Sequence, residues 1–233
     1  MAEALPGYEL GEELGRGAMG EVIAGTHRKL DRRVAIKRLP KTFALDPSVV
    51  ERFGREAKLL ASLAHPNIVP VYDYVEDQGL CLIVMESLPG GTVWDRFRGA
   101  GLSMPEACAI VEATCAGLQH AHDKRVLHRD VKPDNLLFDA EDTVKVADFG
   151  IATVLGGEET LATLDGEVLG TPAYMAPEQA LGEPVGPGAD VYAAGTMLYE
   201  LLSGRLPFSE EGGAVALLQR RVHDAPAPLE AVA

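Results

Sequence analysis

Six charged or polar side chains crowd into a short segment, VLHRDVKPDNLLF, with apolar residues on both sides. They are His128, Arg129, Asp130, Lys132, Asp134 and Asn135. A further aspartate, Asp148, follows the mostly apolar run TVKVA. Phosphoryl transfer needs a carboxylate that accepts a proton and oxygen ligands that hold Mg²⁺ against the phosphates, because positioning and charge neutralisation carry most of that reaction. Asp130, Asn135 and Asp148 could supply such a set.

A glycine pattern lies nearer the N-terminus, in the segment GRGAMGEV. Gly15, Gly17 and Gly20 form GxGxxG between two strand-like segments. A glycine-rich hairpin can lay bare backbone N–H groups over phosphates, because no side chain intrudes. The pattern by itself is weak, since glycines in an ordinary hairpin turn would look the same. A dinucleotide-binding fingerprint is disfavoured, because its glycines lie between a strand and a helix.

A lysine, Lys37, ends the apolar strand-like run VAIK. A lysine in such a strand is costly unless it is paired. Glu56 lies beside a predicted helical stripe of apolar residues that includes Phe53, Ala57 and Leu60. Glu56 is therefore a candidate partner for Lys37, and a surface lysine with a solvated glutamate is the alternative.

The chain divides into a strand-rich part and a helical part. Short β-branched runs alternate with turns over residues 1–86, with one helix that starts at Asp46 and Pro47. A Gly- and Pro-containing hinge follows at 87–91, and helical periodicity dominates 92–233. Residues 151–189 lack periodicity and predict a long loop, and loops of that length in a compact domain are usually functional or disordered. The fold class is therefore α+β with two lobes.

The charge of the chain excludes several function classes. The 35 acidic and 21 basic residues give a formal charge of −14, which disfavours binding to nucleic acid or to an anionic membrane surface.

The most apolar later stretch, VYAAGTMLYELL, is too short to span a bilayer and contains Glu200. Cys108 and Cys115 are seven residues apart in a helical stretch, so we expect buried small side chains there rather than metal ligands.

Seven motifs in one order identify a resemblance. They are GRGAMGEV, VAIK, Glu56, HRDVKPDN, DFG, GTPAYMAPE and DVYAAG, spread over residues 8–208. Together they resemble the catalytic domain of protein kinases, of the eukaryotic-like serine/threonine kind found in bacteria. The resemblance implies a small antiparallel-sheet N-lobe with one helix, a mainly helical C-lobe and an activation segment at 148–178. It also implies ATP-dependent phosphorylation of Ser and Thr hydroxyls, with autophosphorylation of the activation loop in signal transduction.

The same resemblance implies the site residues. Catalytic roles fall to Asp130, Lys132, Lys37 and Glu56, with Asp130 orienting the acceptor hydroxyl. Asn135 and Asp148 are implied to bind Mg²⁺, or Mn²⁺ in its place. ATP contacts fall to Leu14, Gly15, Gly17, Gly20, Val22, Ala35, Lys37, Met85, Glu86, Leu88, Asp95 and Leu137. Asp95 is a weaker ribose candidate because Thr92 stands where many relatives carry an acid. His128 is implied to be structural, and Asp190 to tie the backbone near 128–129 to the DVYAAG helix.

Regulation is implied by the activation loop. An arginine before the catalytic aspartate, here Arg129, is typical of kinases that loop phosphorylation switches on, because it can bind a phosphate. Thr163 best matches the phosphorylated position and Thr160 comes second. Thr171 is a further candidate for phosphorylation and is also implied to frame the acceptor hydroxyl. The implied partners are protein substrates and a homodimer that phosphorylates in trans. The implied location is the cytoplasm, with a longer form tethered to a membrane.

The end of the sequence raises an alternative. In the resembling family, further helices follow the Pro-rich turn near DAPAP, and an arginine among them pairs with the glutamate of APE, here Glu178. Arg205, Arg220 and Arg221 do not lie at the matching position. We therefore expect a C-lobe without its last helices, with lower stability and activity than a longer form. The alternative function is an ATP-binding regulatory or scaffold domain with little activity.

Overall fold

The structure, a computed structural model, describes residues 5–17, 20–39, 46–77, 80–149 and 172–232. The N-terminal part forms a five-stranded sheet with the order β1-β2-β3-β5-β4, and every neighbouring pair is antiparallel. The strands are β1 (Tyr8–Gly17), β2 (Gly20–His27), β3 (Arg32–Arg38), β4 (Val71–Asp77) and β5 (Leu80–Glu86). The glycine pattern lies in the β1–β2 hairpin, as predicted, with Gly15 opposite Val22.

One helix, α1 (Pro47–Ala61), accompanies this sheet. It begins where the sequence predicts, since the Asp46 carboxylate accepts a hydrogen bond from the Ser48 N–H at 2.8 Å and Pro47 occupies the first turn. Phe53, Ala57 and Leu60 are buried, which confirms the predicted apolar face.

The C-terminal part is mainly helical. Its helices are α2 (Val93–Ala100), α3 (Met104–Asp123), α4 (Pro177–Ala180), α5 (Pro187–Ser203) and α6 (Gly213–His223), with 3₁₀ turns at Pro133–Asn135 and Leu229–Ala231. A two-stranded antiparallel hairpin, β6 (Leu136–Phe138) and β7 (Val144–Val146), lies between α3 and α4 in the chain. Helices α3 and α5 pack against each other in the main core. The predicted two-lobed α+β class is confirmed.

Two local predictions are wrong. The expected loop over 151–189 holds a helix, α4, and the start of α5 within its described part, because Pro177 and Pro187 each suit a first helical turn. Cys108 and Cys115 are exposed rather than buried. The buried stripe of α3 runs instead through residues such as Ala107 and Thr114, each of which precedes a cysteine along the chain.

Among the described residues, backbone hydrogen bonds join the N-terminal part to the helical part at the hinge and at a second connection before β4. At the hinge, the Gly90 N–H donates to Phe138 O and the Phe138 N–H donates to Gly91 O, each at 3.0 Å. A Cβ on Gly90 would lie only 2.6 Å from the Phe138 Cβ, so the close approach requires glycine. The first connection therefore clamps the hinge directly onto β6.

The second connection lies between α1 and β4. The Val146 N–H donates to Asn67 O at 2.9 Å, the Asn67 side-chain amide donates to Val144 O at 2.9 Å, and the Val69 N–H donates to Val146 O at 3.0 Å. A Cβ on Gly117 of α3 would come within 2.7 Å of Asn67 O. The segment around Asn67 thus packs on the helical part as an added edge of β7.

No helix of the described residues is both long and apolar enough to cross a bilayer.

Candidate active site

One face of the five-stranded sheet carries four of the predicted nucleotide contacts. Directly opposed residues in antiparallel strands project to the same side, and residues two apart in a strand do too. Val22 opposes Lys37, Ala35 opposes Met85, and Lys37 opposes Ile83. These five side chains therefore share one face of the sheet. The structure brings together four predicted ATP contacts that are up to 63 positions apart, Val22 and Met85 being the outer two.

Lys37 reaches across from this face to Asp148. Its Nζ lies 2.8 Å from Asp148 Oδ1, and the Lys37 side chain is only 4% exposed. Burial acts to raise the pKa of the Asp148 carboxyl, but the ammonium of Lys37 outweighs it, so that pKa lies below its ordinary value. The side chain of Glu56 lies outside the described part of the structure, so its predicted pairing with Lys37 stays a prediction.

Asp148 itself is held in an unusual backbone conformation. Its φ is +59°, in the left-handed region that residues other than glycine seldom adopt. Ala147, just before it, anchors the segment, since its N–H donates to Asn135 O at 2.8 Å and its carbonyl contacts His128. Strain of this kind persists where surrounding contacts over-determine the chain, and it clusters at functional sites.

Asp130, Lys132 and Asn135 form one polar cluster at the end of the loop before β6. Lys132 Nζ lies 2.9 Å from Asp130 Oδ2. The Asn135 amide nitrogen donates to Asp130 O at 2.7 Å and to Asp130 Oδ2 at 3.1 Å. Pro133 opens the 3₁₀ turn that brings Asn135 back towards Asp130. Local geometry therefore explains why residues five apart in the sequence meet.

His128 lies beneath this cluster, fully buried, and both of its ring nitrogens are used. The Asp130 N–H donates to Nδ1 at 3.2 Å, and Nε2 lies 2.8 Å from Ala147 O, which requires a proton on Nε2. Its ring centroid is 4.7 Å from that of Phe149. A histidine with both nitrogens engaged by the backbone has no position left for a substrate proton, which supports the structural role.

Asp190, at the start of α5, fixes the backbone of the same loop. Its two carboxylate oxygens accept from the His128 N–H at 2.9 Å and the Arg129 N–H at 2.8 Å, and Oδ2 also lies 2.7 Å from His122 Nε2. Arg129 has a φ of +67°, another left-handed residue. Two hydrogen bonds to Asp190 hold this turn, His122 contacts the same carboxylate, and the loop that carries Asp130 continues from the turn.

The glycine hairpin leaves room for a ligand. A Cβ on Gly15 would meet no described protein atom within 4 Å, so packing inside the described chain does not explain that glycine. Gly20 has a φ of +118°, which requires glycine. Leu14 is 54% exposed at the rim. These features fit a hairpin that closes over a bound group.

The hinge presents the remaining predicted contacts. The Glu86 N–H donates to Pro70 O at 3.0 Å, and the partly buried Leu88 follows it. Leu137, also partly buried, forms an isolated bridge with Thr92. Asp95 and Thr92 form a capping box at the start of α2, in which Asp95 Oδ2 accepts from the Thr92 hydroxyl at 2.7 Å. Asp95 thus has a helix-capping role, and its ribose contact stays a prediction.

Comparison with known sequences places this arrangement in a family. The protein kinase domain matches residues 8–225. The chain belongs to the protein kinase domain family. The kinase domain is 40% identical over 220 residues to the serine/threonine-protein kinase PrkC of Bacillus subtilis, which covers 94% of this chain and 34% of that protein.

Further relatives carry similar names. The serine/threonine-protein kinase PknB of Mycobacterium tuberculosis is 41% identical over 226 residues, covering 95% of this chain and 36% of that protein. A probable serine/threonine-protein kinase of Corynebacterium efficiens is 42% identical over 226 residues, covering 95% of this chain and 34% of that protein. The kinase domain spans about a third of the length of these curated relatives.

The donor set of the kinase domain fits a divalent ion completed by phosphates. Asn135 donates through its amide nitrogen, which leaves its oxygen available as a ligand, and the described contact of Lys37 with Asp148 is to Oδ1. Within the described residues, no group of three or more His, Cys, Asp or Glu side chains could hold a metal by itself. Mg²⁺ takes few protein ligands when a nucleotide supplies the others, so this sparse set suits Mg²⁺ with ATP.

Three residues of the kinase domain that sequence reasoning missed support this site. Lys145 on β7 donates to Glu86 Oε2 at 2.8 Å and so ties the hinge to the β6–β7 hairpin. Burial acts to lower the pKa of Lys145, but Glu86 and Asp139 outweigh it, so the pKa is raised. The Gln179 amide donates to Arg129 O at 3.0 Å, and Arg221 is buried beneath the segment before α4. For Arg221, the available signal was Leu217, which lies four residues earlier on the same face of the helix and is buried.

The predicted phosphorylation sites Thr160, Thr163 and Thr171 lie outside the described residues. Arg129 is described: its N–H binds Asp190 and its carbonyl accepts from Gln179. The phosphate-binding role of Arg129 therefore stays a prediction.

Proposed function

We propose that this kinase domain transfers the γ-phosphoryl group of ATP to Ser and Thr hydroxyls of protein substrates. The observation that carries the proposal is the cluster of Asp130, Lys132 and Asn135, built within hydrogen-bond distance on a loop that Asp190 fixes. Asp130 would orient the acceptor hydroxyl and take up its proton. Lys132, held against Asp130, would steady the transferring phosphoryl group. Lys37, which Glu56 would hold, positions the α- and β-phosphates.

The same geometry supports a proposed site for the metal ion and the nucleotide. Asn135 and Asp148 would hold Mg²⁺ or Mn²⁺, which when bound neutralises the charge of the phosphates. Backbone groups of Gly15, Gly17 and Gly20 would cover those phosphates. The adenine would lie between Val22 and Ala35 above and Leu137 below, with Leu14 at the rim. Met85 would close the back of the pocket, Glu86 and Leu88 would pair with adenine through their backbones, and Asp95 would contact the ribose.

We also propose bounds for the two lobes and a mode of regulation. Residues 1–86 act as the N-lobe, 87–91 as the hinge and 92–233 as the C-lobe, with an activation segment at 148–178. We propose autophosphorylation of this segment in signalling, at Thr163 first, with Thr160 and Thr171 as the further sites and Arg129 as the phosphate ligand. Phosphorylation in trans would take place in a homodimer in the cytoplasm.

The experiment uses the whole chain, Mg-ATP and three peptide libraries whose only acceptor is Ser, Thr or Tyr. Mass spectrometry should find phosphate on the Ser and Thr libraries and on residues 151–171 of the protein. Transfer to none of the libraries would overturn the proposed activity, and phosphate confined to positions outside 151–171 would overturn the regulatory part alone.

Two matched variants separate chemistry from binding. Asp130→Asn removes the acceptor-orienting carboxylate and should lower the transfer rate about 100-fold or more, while ATP affinity stays within a few-fold. Asp134→Asn makes the same charge change at an exposed position of the same loop and should leave both unchanged. Equal losses in the two variants would contradict the role of Asp130.

A further inference from the structure

Arg221, in the last turn of α6, is a buried cation. It is 3% exposed and forms no ion pair with Glu178 or any other described carboxylate. Its neighbour Arg220 is partly exposed and donates to the carbonyls of Ser209 and Glu211 in the loop before α6. A guanidinium that is buried without an acid is expensive, and burial lowers the pKa of Arg221. Such a group needs another explanation than charge pairing.

Its contacts point to one segment, residues 173–175. Arg221 donates through Nη1 to Met175 O at 3.0 Å and through Nη2 to Ala173 O. The rings of Tyr192 and Phe208 lie 5.7 and 5.5 Å from the guanidinium carbon. The planar fork of arginine binds two carbonyl groups two residues apart, which a lysine ammonium cannot do with the same geometry. Arg221 therefore fixes the main chain of this segment rather than a side chain.

The held segment continues to the catalytic loop. The Ala176 N–H donates to Gln179 Oε1 at 3.0 Å, and the Gln179 amide donates to Arg129 O at 3.0 Å. Arg129 directly precedes Asp130. On the other side, the Tyr174 hydroxyl donates to the buried Glu200 of α5. Residues 173–176 are thus anchored to α6, to α5 and, through Gln179, to the loop that would orient the acceptor hydroxyl.

We propose that Arg221 is a positioning residue for the acceptor polypeptide: it sets residues 173–176 as the edge against which the chain carrying the Ser or Thr hydroxyl lies next to Asp130. This inference rests on the proposed function. The proposed nucleotide contacts lie on the five-stranded sheet, at the hinge, on β6 and in the first turn of α2, and none of the described contacts of Arg221 reaches them. Arg221 should therefore affect recognition of the acceptor and leave recognition of ATP alone.

The test compares Arg221→Met and Arg221→Lys with the matched control Arg220→Met, all in the full chain. The first measurement is amide hydrogen exchange of residues 173–180. Arg221→Met should exchange there about tenfold faster or more than wild type, since each lost hydrogen bond to a charged donor is worth about that factor. Arg220→Met should not differ from wild type in this segment. Unchanged exchange in Arg221→Met would overturn the anchoring.

The second measurement separates the two substrates. With the best acceptor peptide of the libraries, Arg221→Met should raise the KM for peptide about tenfold and keep the KM for ATP within about twofold, and Arg221→Lys should recover part of the loss. An equal rise of both KM values would overturn the positioning role, as would an unchanged KM for peptide. If Arg221→Met does not fold, Arg221→Lys carries the same comparison. A wild-type chain without transfer would refute the proposed function, and the exchange result would still decide the anchoring.

Discussion

The surroundings of Asp190 and Asp148 differ in a way that separates a scaffold carboxylate from a ligand-binding one. Asp190 is 1% exposed, and its carboxylate meets two backbone N–H groups and the imidazole of His122. Among the described residues, the ammonium of Lys37 donates to the Asp148 carboxylate, and 31% of the Asp148 side chain is exposed. A carboxylate surrounded by donors has little capacity left for a ligand. A carboxylate whose described donor engages one oxygen and whose side chain is partly exposed can offer the other oxygen to a metal ion.

Glu200 adds a third case. It is buried, and its described hydrogen-bond donor is the neutral hydroxyl of Tyr174. Burial raises the pKa of Glu200, and the Tyr174 bond reduces this shift without cancelling it. At Asp148 the same desolvation is outweighed by the ammonium of Lys37. The charge of the neighbouring donor, and not desolvation alone, decides the direction in which the pKa of such a carboxyl is shifted.

The largest effect is expected at Asp190. Asp190→Ala leaves the N–H groups of His128 and Arg129 buried without an acceptor and should lower the free energy of unfolding by roughly 3–5 kcal/mol. For a domain of this size, that corresponds to a fall in Tm of about 10 °C. Calorimetry on Val191→Ala, a truncation at the exposed neighbour, provides the control. Equal melting of the two variants would mean that Asp190 does not hold the loop.

A smaller effect, of a different kind, is expected at Asp148. Asp148→Asn retains an oxygen that can accept from Lys37, so its Tm should fall less than that of Asp190→Ala. The variant removes a charged metal ligand and should lower the transfer rate about 100-fold, with weaker binding of Mg-ATP. Titration calorimetry with and without Mg²⁺ measures this. Magnesium-dependent affinity equal to that of wild type would remove the distinction between the two aspartates.

The smallest effect is expected at Glu200, and it depends on pH. Because the folded-state pKa of Glu200 is raised, its protonated form favours the folded state below the unfolded pKa, and this contribution is lost as pH rises through the folded pKa. Glu200→Gln cannot ionise and should gain stability relative to wild type as pH increases from 4 to 8, by a few degrees of Tm at most. A difference in Tm between the two proteins that stays constant across this range would show that ionisation of Glu200 does not destabilise the folded state.

Local features of the molecule could be predicted from the sequence, because their causes are local. The N-cap of α1 at Asp46, the glycine hairpin and the return of Asn135 to Asp130 each depend on residue types a few positions apart. Short helices were harder: α4 has only four residues and shows no periodicity to detect.

Long-range contacts could not be predicted from residue patterns. Lys37 and Asp148 are 111 positions apart, and only the resemblance to protein kinases placed both near the phosphates. Which of two adjacent arginines is buried depends on how α6 docks, so Arg221 could not be distinguished from Arg220 by charge. Its spacing from Leu217 is compatible with burial, but a cation at a helix end is usually solvated.

The two hydrogen-bonded connections between the sheet and the helical part define an axis, the line through the clamped Gly90 and the docked Asn67. A turn of the sheet about this line would leave both connections in place. Both lie next to the β5–β4 edge of the sheet, while β1 is at the far edge, four strand spacings from β4. With strands about 4.8 Å apart, a turn of about 10° would move β1 by roughly 3 Å and β5 by less than 1 Å. A turn about this axis would therefore displace the glycine hairpin most, while Met85 would stay close to the axis.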